Sequence, residues 1–189
     1  IEDLFELAKL DAGEKLQFAP LRVESLYTHL TSTLGHTSEQ HNISLLADFP
    51  PALEVQGDED KLKRLLANLV ENAILYAGDG SKVTLHATLE DGKVLMSVRD
   101  TGRGIPEHEC TRLFEWFYRG AAGVAERPSG SGLGLAICKR IAELHGSELK
   151  LQSEEGKGTA FSFFLPEAAR RSRVNPLDRF GHRYWLANS

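Results

Sequence analysis

Two asparagines four residues apart, Asn68 and Asn72, lie among leucines at helical spacing. On a helix this spacing places both amides on one face. Asparagine is a mediocre helix former because its amide competes for backbone partners, so two in one turn call for a reason. An amide oxygen is a suitable hard ligand for Mg²⁺, which takes its other ligands from water and substrate phosphates. The alternative is a pair of solvated polar residues at the edge of a core helix.

Two glycine-rich runs follow. Asp100 begins the first, Asp-Thr-Gly-Arg-Gly-Ile, directly after a predicted strand. Its carboxylate could accept a hydrogen bond from an exocyclic amine, and the glycines let the backbone approach a flat ring or a phosphate. The second run, from Gly130 to Leu135, opens a predicted helix, where free N–H groups and the helix dipole favour a phosphate. Neither run has Walker A or good dinucleotide-binding spacing, and the first could be a simple turn.

The elements that would position these residues mix helical and strand patterns. The strongest helix is predicted from Asp58 to Tyr76, with Asp58 as its N-cap. Alternating residues on either side of Glu90-Asp91-Gly92-Lys93 predict a β-hairpin over 83–98. Other helices are predicted up to Gly13, over 21–41 and over 133–145, and other strands over 43–49, 52–55, 149–151 and 159–165.

Composition limits the class of protein. The chain has 189 residues, 41% of them hydrophobic and 26% charged, which is typical of a globular protein and excludes collagen-like or disordered classes. A net charge of −5 argues against a broad nucleic-acid surface. The two cysteines form no disulfide framework, and no apolar run is long enough to span a bilayer. Because the chain starts at Ile1, we expect a fragment of a longer protein.

Four motifs in order resemble the catalytic and ATP-binding domain of bacterial two-component sensor histidine kinases, in the GHKL superfamily, from about Ile1 to Pro166. NLVENAILY (68–76) is similar to the N box, and DTGRGIP (100–106) is similar to the G1 box. LFEWFYRG (113–120) resembles the F box, and GSGLGLAICKRIAELHG (130–146) resembles the G2 box. The opening DLFELAKLDAG is similar to the end of the second dimerisation helix in these kinases.

The resemblance implies a role for each matched residue. Asn72 would bind Mg²⁺, Asn68 would lie at the phosphates, and Asp100 would accept a hydrogen bond from the adenine amine, with Thr159 nearby. Arg119 or Arg127 would stabilise charge on the moving phosphoryl group, and a lid over about 118–129 would cover ATP. The other implied nucleotide-binding residues are Tyr76, Gly102, Gly104, Ile105, Tyr118, Gly130, Ser131, Gly132, Leu133, Gly134 and Leu135.

The resemblance also implies a fold and partners. We expect a two-layer α/β sandwich of the Bergerat type, a mixed sheet with helices on one face. Residues 1–19 would be the end of a dimerisation helix and a linker, 20–168 the ATP-binding domain, and 169–189 a basic and aromatic tail. The phosphoacceptor histidine would lie on a dimerisation domain outside this chain. The expected partners are that domain and a response-regulator receiver, in a cytoplasmic and homodimeric kinase.

Departures from the family pattern leave alternatives open. The family usually has a lysine three residues after the magnesium-binding asparagine, where this chain has Leu75. That change keeps open a degenerate regulator that binds nucleotide or only a partner. Hydrolytic relatives place a general-base glutamate four residues before that asparagine, where this chain has Asn68, and adjacent Glu71 should point elsewhere on the helix. An ATPase of that type, or an anti-sigma-factor serine kinase, is therefore disfavoured.

Overall fold

The computed structural model describes residues 2–120 and 130–168 of the chain. Most of the predicted lid and the whole of the predicted tail therefore lie outside the described residues. Within them the helices are α1 (Glu2–Asp11), α2 (Val23–Gln40), α3 (Glu59–Tyr76), α4 (Glu107–Cys110) and α5 (Gly134–Leu144). The strands are β1 (Phe18–Arg22), β2 (Ser44–Asp48), β3 (Glu54–Asp58), β4 (Lys82–Glu90), β5 (Lys93–Asp100), β6 (Lys150–Glu154) and β7 (Gly158–Pro166).

Five of the strands form one mixed sheet in the order β2-β4-β5-β7-β6. Strands β2 and β4 are parallel, and the other neighbours are antiparallel. The β4–β5 hairpin has the predicted tight turn, in which Asp91 and Gly92 have φ angles of +48° and +77°. Two positive φ angles are what a two-residue turn matched to strand twist requires. The mixed sheet agrees with the expected fold class.

One face of the sheet supports the helices because the strands alternate. Every second residue of β4, β5 and β7 is buried in the core, as in Val83, Leu85 and Phe163. The predicted leucine stripe of α3 is buried against this face. The side chain of Asp58 accepts a hydrogen bond from the backbone N–H of Lys61 at 3.1 Å, which confirms the predicted N-cap. Helix α3 packs between α2 and α5. One face of α3 stays uncovered and lies near the end of β5.

Two elements differ from the sequence prediction. The predicted helix over 21–41 begins only at Val23, because 18–22 form strand β1, which pairs with β3 to make a separate two-stranded sheet. Most β1 side chains are exposed, so β1 has no alternating pattern to detect. Strand β3 begins at Glu54 rather than Ala52, whose φ angle of +59° belongs to a turn. None of the helices in the described part of the chain is long and apolar enough to cross a membrane.

Candidate functional site

A cavity of about 970 Å³ lies between α3, the end of β5, the loop after β5 and the start of α5. Fourteen of the residues singled out from the sequence line it, although they come from five separate stretches of the chain. They are Asn68, Asn72, Tyr76, Asp100, Gly104, Ile105, Tyr118, Arg119, Gly130, Ser131, Gly132, Gly134, Leu135 and Thr159. The fold therefore brings the four motifs to one place.

Helix α3 forms one wall of this cavity. Asn68, Asn72 and Tyr76 follow each other at four-residue intervals and all three line it, as helical periodicity requires. One turn earlier, Arg64 lines the cavity as well. None of the motifs includes Arg64, although the same four-residue spacing predicts it on this face of α3. Leu75, at the position of the family's lysine, does not line the cavity.

Asn68 has an unusual environment for an amide. Its Nδ2 is buried and makes no hydrogen bond among the described residues. The neighbouring group is the thiol of Cys138, whose pKa burial raises to about 12. A thiol is only a weak acceptor, so the amide of Asn68 is incompletely satisfied. The Asn68 side chain also lies 3.8 Å from the position that a Cβ would take on Gly134, the first residue of α5.

Asp100 closes the other end of the cavity, at the last residue of β5. Its Oδ1 accepts a hydrogen bond of 2.9 Å from the backbone N–H of Gly102. Burial raises the pKa of the Asp100 carboxyl, and backbone N–H groups of Gly102 and Thr159 offset part of that rise. The hydroxyl of Thr159, beside it, hydrogen-bonds Ser153 Oγ at 2.9 Å. The result is a positioned, partly buried acceptor that suits an amine donor.

Gly104 has a steric reason to be glycine. Its φ is +69°, and a Cβ there would overlap the carbonyl group of Glu154, the last residue of β6, where the turn to β7 begins. The backbones of the two loops are in contact, and Gly156 N–H donates to the Arg103 carbonyl at 2.7 Å. The loop after β5 can therefore form a thin, flat wall only because no side chain separates it from that turn.

Two predicted nucleotide-binding residues do not line the cavity. Gly102 is buried, and a Cβ there would overlap the backbone of Ala77 just after α3. Leu133 precedes α5 and is 2% exposed within the hydrophobic core. Both residues shape the segments that carry their neighbours. Gly132, by contrast, lines the cavity with a φ of +69°, and its carbonyl accepts the N–H of Phe117 at 3.1 Å.

Seven charged residues for which no nucleotide-binding role was predicted also line the cavity: Glu2, Asp3, Arg64, Glu71, Arg103, Glu109 and Glu155. Glu71, which we expected to point elsewhere on α3, is also among the lining residues, beside Asn72. A cavity that spans a wide arc of the helix reaches residues 100° apart. Arg103 lies over the ring of Tyr76, with its Cζ atom 5.9 Å from the ring centroid.

Comparison with known proteins agrees with this geometry. Residues 57–169 match the family described as histidine kinase-, DNA gyrase B-, and HSP90-like ATPase. The chain is 34% identical over 88% of its length to the sensor-like histidine kinase SenX3 of Mycolicibacterium smegmatis, and it spans 44% of that relative.

Solved structures give the same result. Full-length ShkA in complex with AMPPNP is similar over 88% of this chain and 35% of its own, with a TM-score of 0.76 and 28% identity. The catalytic domain of histidine kinase ThkA is similar over 80% of this chain and 97% of its own, with a TM-score of 0.70 and 27% identity. The chain therefore belongs to the histidine kinase-, DNA gyrase B-, and HSP90-like ATPase family, within which it is similar to the ATP-binding catalytic domains of sensor histidine kinases.

Proposed function

We propose that this chain binds Mg·ATP and transfers the γ-phosphoryl group to a histidine on a dimerisation domain of the same kinase. The observation that supports this best is the convergence of Asn68, Asn72, Asp100 and the start of α5 on one cavity. The phosphorylated histidine would then pass its phosphoryl group to an aspartate of a response-regulator receiver. The whole kinase would be a homodimer with this domain in the cytoplasm, where ATP is available.

The two ends of the cavity would hold different parts of the nucleotide. Asp100 would accept a hydrogen bond from the exocyclic amine of adenine, and Gly104 and Ile105 would lie against the ring. The phosphates would lie between α3 and the first residues of α5, where the free N–H groups and the helix dipole attract negative charge. Phosphoryl transfer depends mainly on positioning and charge stabilisation, so these contacts would do most of the work required of the chain.

The residues present also fit a magnesium ion. Asn72 offers a neutral amide oxygen in the cavity lining. One turn away, the unsatisfied Nδ2 of Asn68 is a donor that suits a phosphate oxygen rather than the ion. Mg²⁺ keeps several waters and binds through few protein ligands plus phosphates, so one or two oxygens from α3 suffice. When bound, the ion would neutralise charge on the phosphates. Arg119, in the lining, would face the transferred group from the F-box side.

The acceptor histidine would have to come from outside the described residues. Six of the seven histidines lie in the described part of the chain, and none of them lines the cavity. His145, the most buried of them, is committed to structural hydrogen bonds. The imidazole nitrogen would attack the γ-phosphorus, the bond to the β-phosphate oxygen would break, and ADP would leave.

Hydrolysis is the second candidate, because Glu71 lines the cavity. Its carboxylate could activate a water, although the position used by hydrolytic relatives holds Asn68. Measuring phosphate release from ATP by the wild type and by Glu71→Gln tests this. Release that disappears in Glu71→Gln would favour an ATPase, whereas negligible release by both would favour transfer to histidine.

Binding is tested by calorimetric titration with a non-hydrolysable ATP analogue, with and without Mg²⁺. We expect magnesium-assisted binding that Asp100→Asn weakens and that Asn72→Asp alters in its magnesium dependence. Asp48→Asn is the matched control, since Asp48 pairs with His86 on the sheet and lies outside the cavity. The transfer step is tested by adding a separately produced dimerisation domain and radiolabelled ATP. Absence of nucleotide binding by the folded wild type would refute the proposal.

A further inference from the structure

Four polar side chains from three distant parts of the chain meet at the end of the cavity where the phosphates would lie. Nη2 of Arg64 on α3 lies 2.6 Å from Oδ1 of Asp3 and 3.0 Å from Oε2 of Glu6, both on α1. The hydroxyl of Ser131, in the glycine-rich loop before α5, donates to the other oxygen of Asp3 at 2.7 Å. One carboxylate of α1 thus receives donors from two walls of the cavity.

Arg64 is the cation that α3 contributes to this cavity. It precedes Asn68 by one turn, on the face that also carries Asn72, and it lies in the cavity lining. The two α3 lysines lie outside that lining, where Lys61 pairs with Glu14 and Lys63 with Glu59. With Leu75 at the position of the family's lysine, Arg64 is the α3 side chain placed to offset phosphate charge.

A guanidinium and a hydroxyl that converge on one anion are the donors that a phosphate group needs. We infer that Arg64, together with Ser131, binds the terminal phosphate of the nucleotide, and that Asp3 of α1 occupies these donors when no nucleotide is bound. ATP must then displace the α1 carboxylates from Arg64. This inference rests on the proposed function, because it assigns residues of the same ATP site.

The contact is one that ATP can break. The side chains of Arg64 and Asp3 are 38% and 33% exposed, so water screens their attraction. A triphosphate carries more charge than a carboxylate and brings several acceptor oxygens. The second half of α1 has separate anchors, because Leu7 and Leu10 are buried and Arg140 pairs with Asp11 at 2.9 Å. The backbone of the first turn of α1, which carries Asp3, would move when ATP binds, whereas Glu6 would leave Arg64 by rotation of its side chain.

The test measures ATP and ADP affinity by titration calorimetry on the 189-residue chain and its variants. Arg64→Gln should lose roughly tenfold or more in ATP affinity, the loss expected for a charge-assisted contact, and less in ADP affinity. Asp3→Asn should increase ATP affinity several-fold. In the Arg64→Gln background, Asp3→Asn should increase ATP affinity less than it does in the wild type, because only the contact with Ser131 is left for it to release.

The matched controls are Lys61→Gln and Glu14→Gln, an ion pair of 2.8 Å that also joins α3 to the N-terminal segment but lies outside the cavity lining. Both controls should leave the ratio of ATP to ADP affinity unchanged. If Arg64→Gln behaves like Lys61→Gln, or if Asp3→Asn leaves ATP affinity unchanged or lower, the inference is overturned. Should Arg64→Gln fail to fold, Arg64→Lys and Asp3→Asn decide the question. Wild type that binds neither nucleotide would instead refute the proposed function itself.

Discussion

Two glycines in neighbouring loops allow a matched test of the adenine end of the cavity. Gly104 and Gly156 have similar positive φ angles, +69° and +79°. A Cβ at Gly104 would overlap the carbonyl group of Glu154, whereas a Cβ at Gly156 would meet nothing within 4 Å. The substitutions Gly104→Ala and Gly156→Ala therefore share the backbone strain and differ in the steric overlap.

The expected costs follow from this difference. A left-handed conformation costs an alanine about 1–2 kcal/mol, and the loss of glycine's freedom in the unfolded chain offsets up to about 1 kcal/mol. Gly156→Ala should thus lower the free energy of unfolding by about 1 kcal/mol. Gly104→Ala should cost about 1–3 kcal/mol more, because backbone of the Glu154 turn must move. It should also displace the cavity wall at Gly104 and Ile105 and weaken ATP binding about tenfold or more.

Thermal unfolding and nucleotide titration of the same samples measure both effects. At about 2–4 °C per kcal/mol for a chain of this size, Gly156→Ala should lower Tm by a few degrees and Gly104→Ala by about twice as much or more. Gly156→Ala should retain ATP affinity. Equal Tm values and equal affinities for the two variants would show that the loops are not in the close contact described above.

Three further predictions test individual side chains. Asp100→Asn should weaken ATP and ADP binding roughly 10- to 100-fold, because a charge-assisted hydrogen bond is lost. It should leave Tm at pH 7 unchanged or higher, because burial raises the pKa of this carboxyl and so disfavours its charged form. A large fall in Tm would contradict this expectation. Burial lowers the pKa of His145, whose Nε2 accepts the Asp58 N–H at 3.0 Å. The unfolded chain then takes up the proton first, so stability should fall as pH drops below about 6.5; urea titrations at pH 7.5 and 5.5 should show a smaller fall for His145→Gln than for wild type. Burial raises the pKa of the Cys138 thiol to about 12, so this thiol should react with a thiol reagent at pH 8 only at the rate of unfolding. The half-buried Cys110 should react in the folded protein. Labelling of both cysteines at the same rate would count against the burial of Cys138.

Local patterns in the sequence were enough to predict much of this structure. The α3 helix and its N-cap followed from leucine spacing and from Asp58, and the β4–β5 hairpin followed from Asp91-Gly92 at its turn. These features depend on residues close together in sequence, whose backbone preferences and periodicity are visible in one dimension. The order of the four motifs along the chain predicted the family, and residues from all four motifs line one cavity in the folded chain.

Tertiary structure decided what depends on distant partners. Strand β1 exists because β3 offers it a pairing edge, and its exposed side chains leave no local signal. Arg64, Asp3 and Ser131 meet although Asp3 is separated from Arg64 by 61 residues and from Ser131 by 128. Sequence spacing cannot report such contacts, because their geometry depends on how α1, α3 and α5 pack. The motifs predicted which residues would meet a nucleotide, whereas only the packing of α1 against that site places the carboxylate of Asp3 on Arg64 and Ser131.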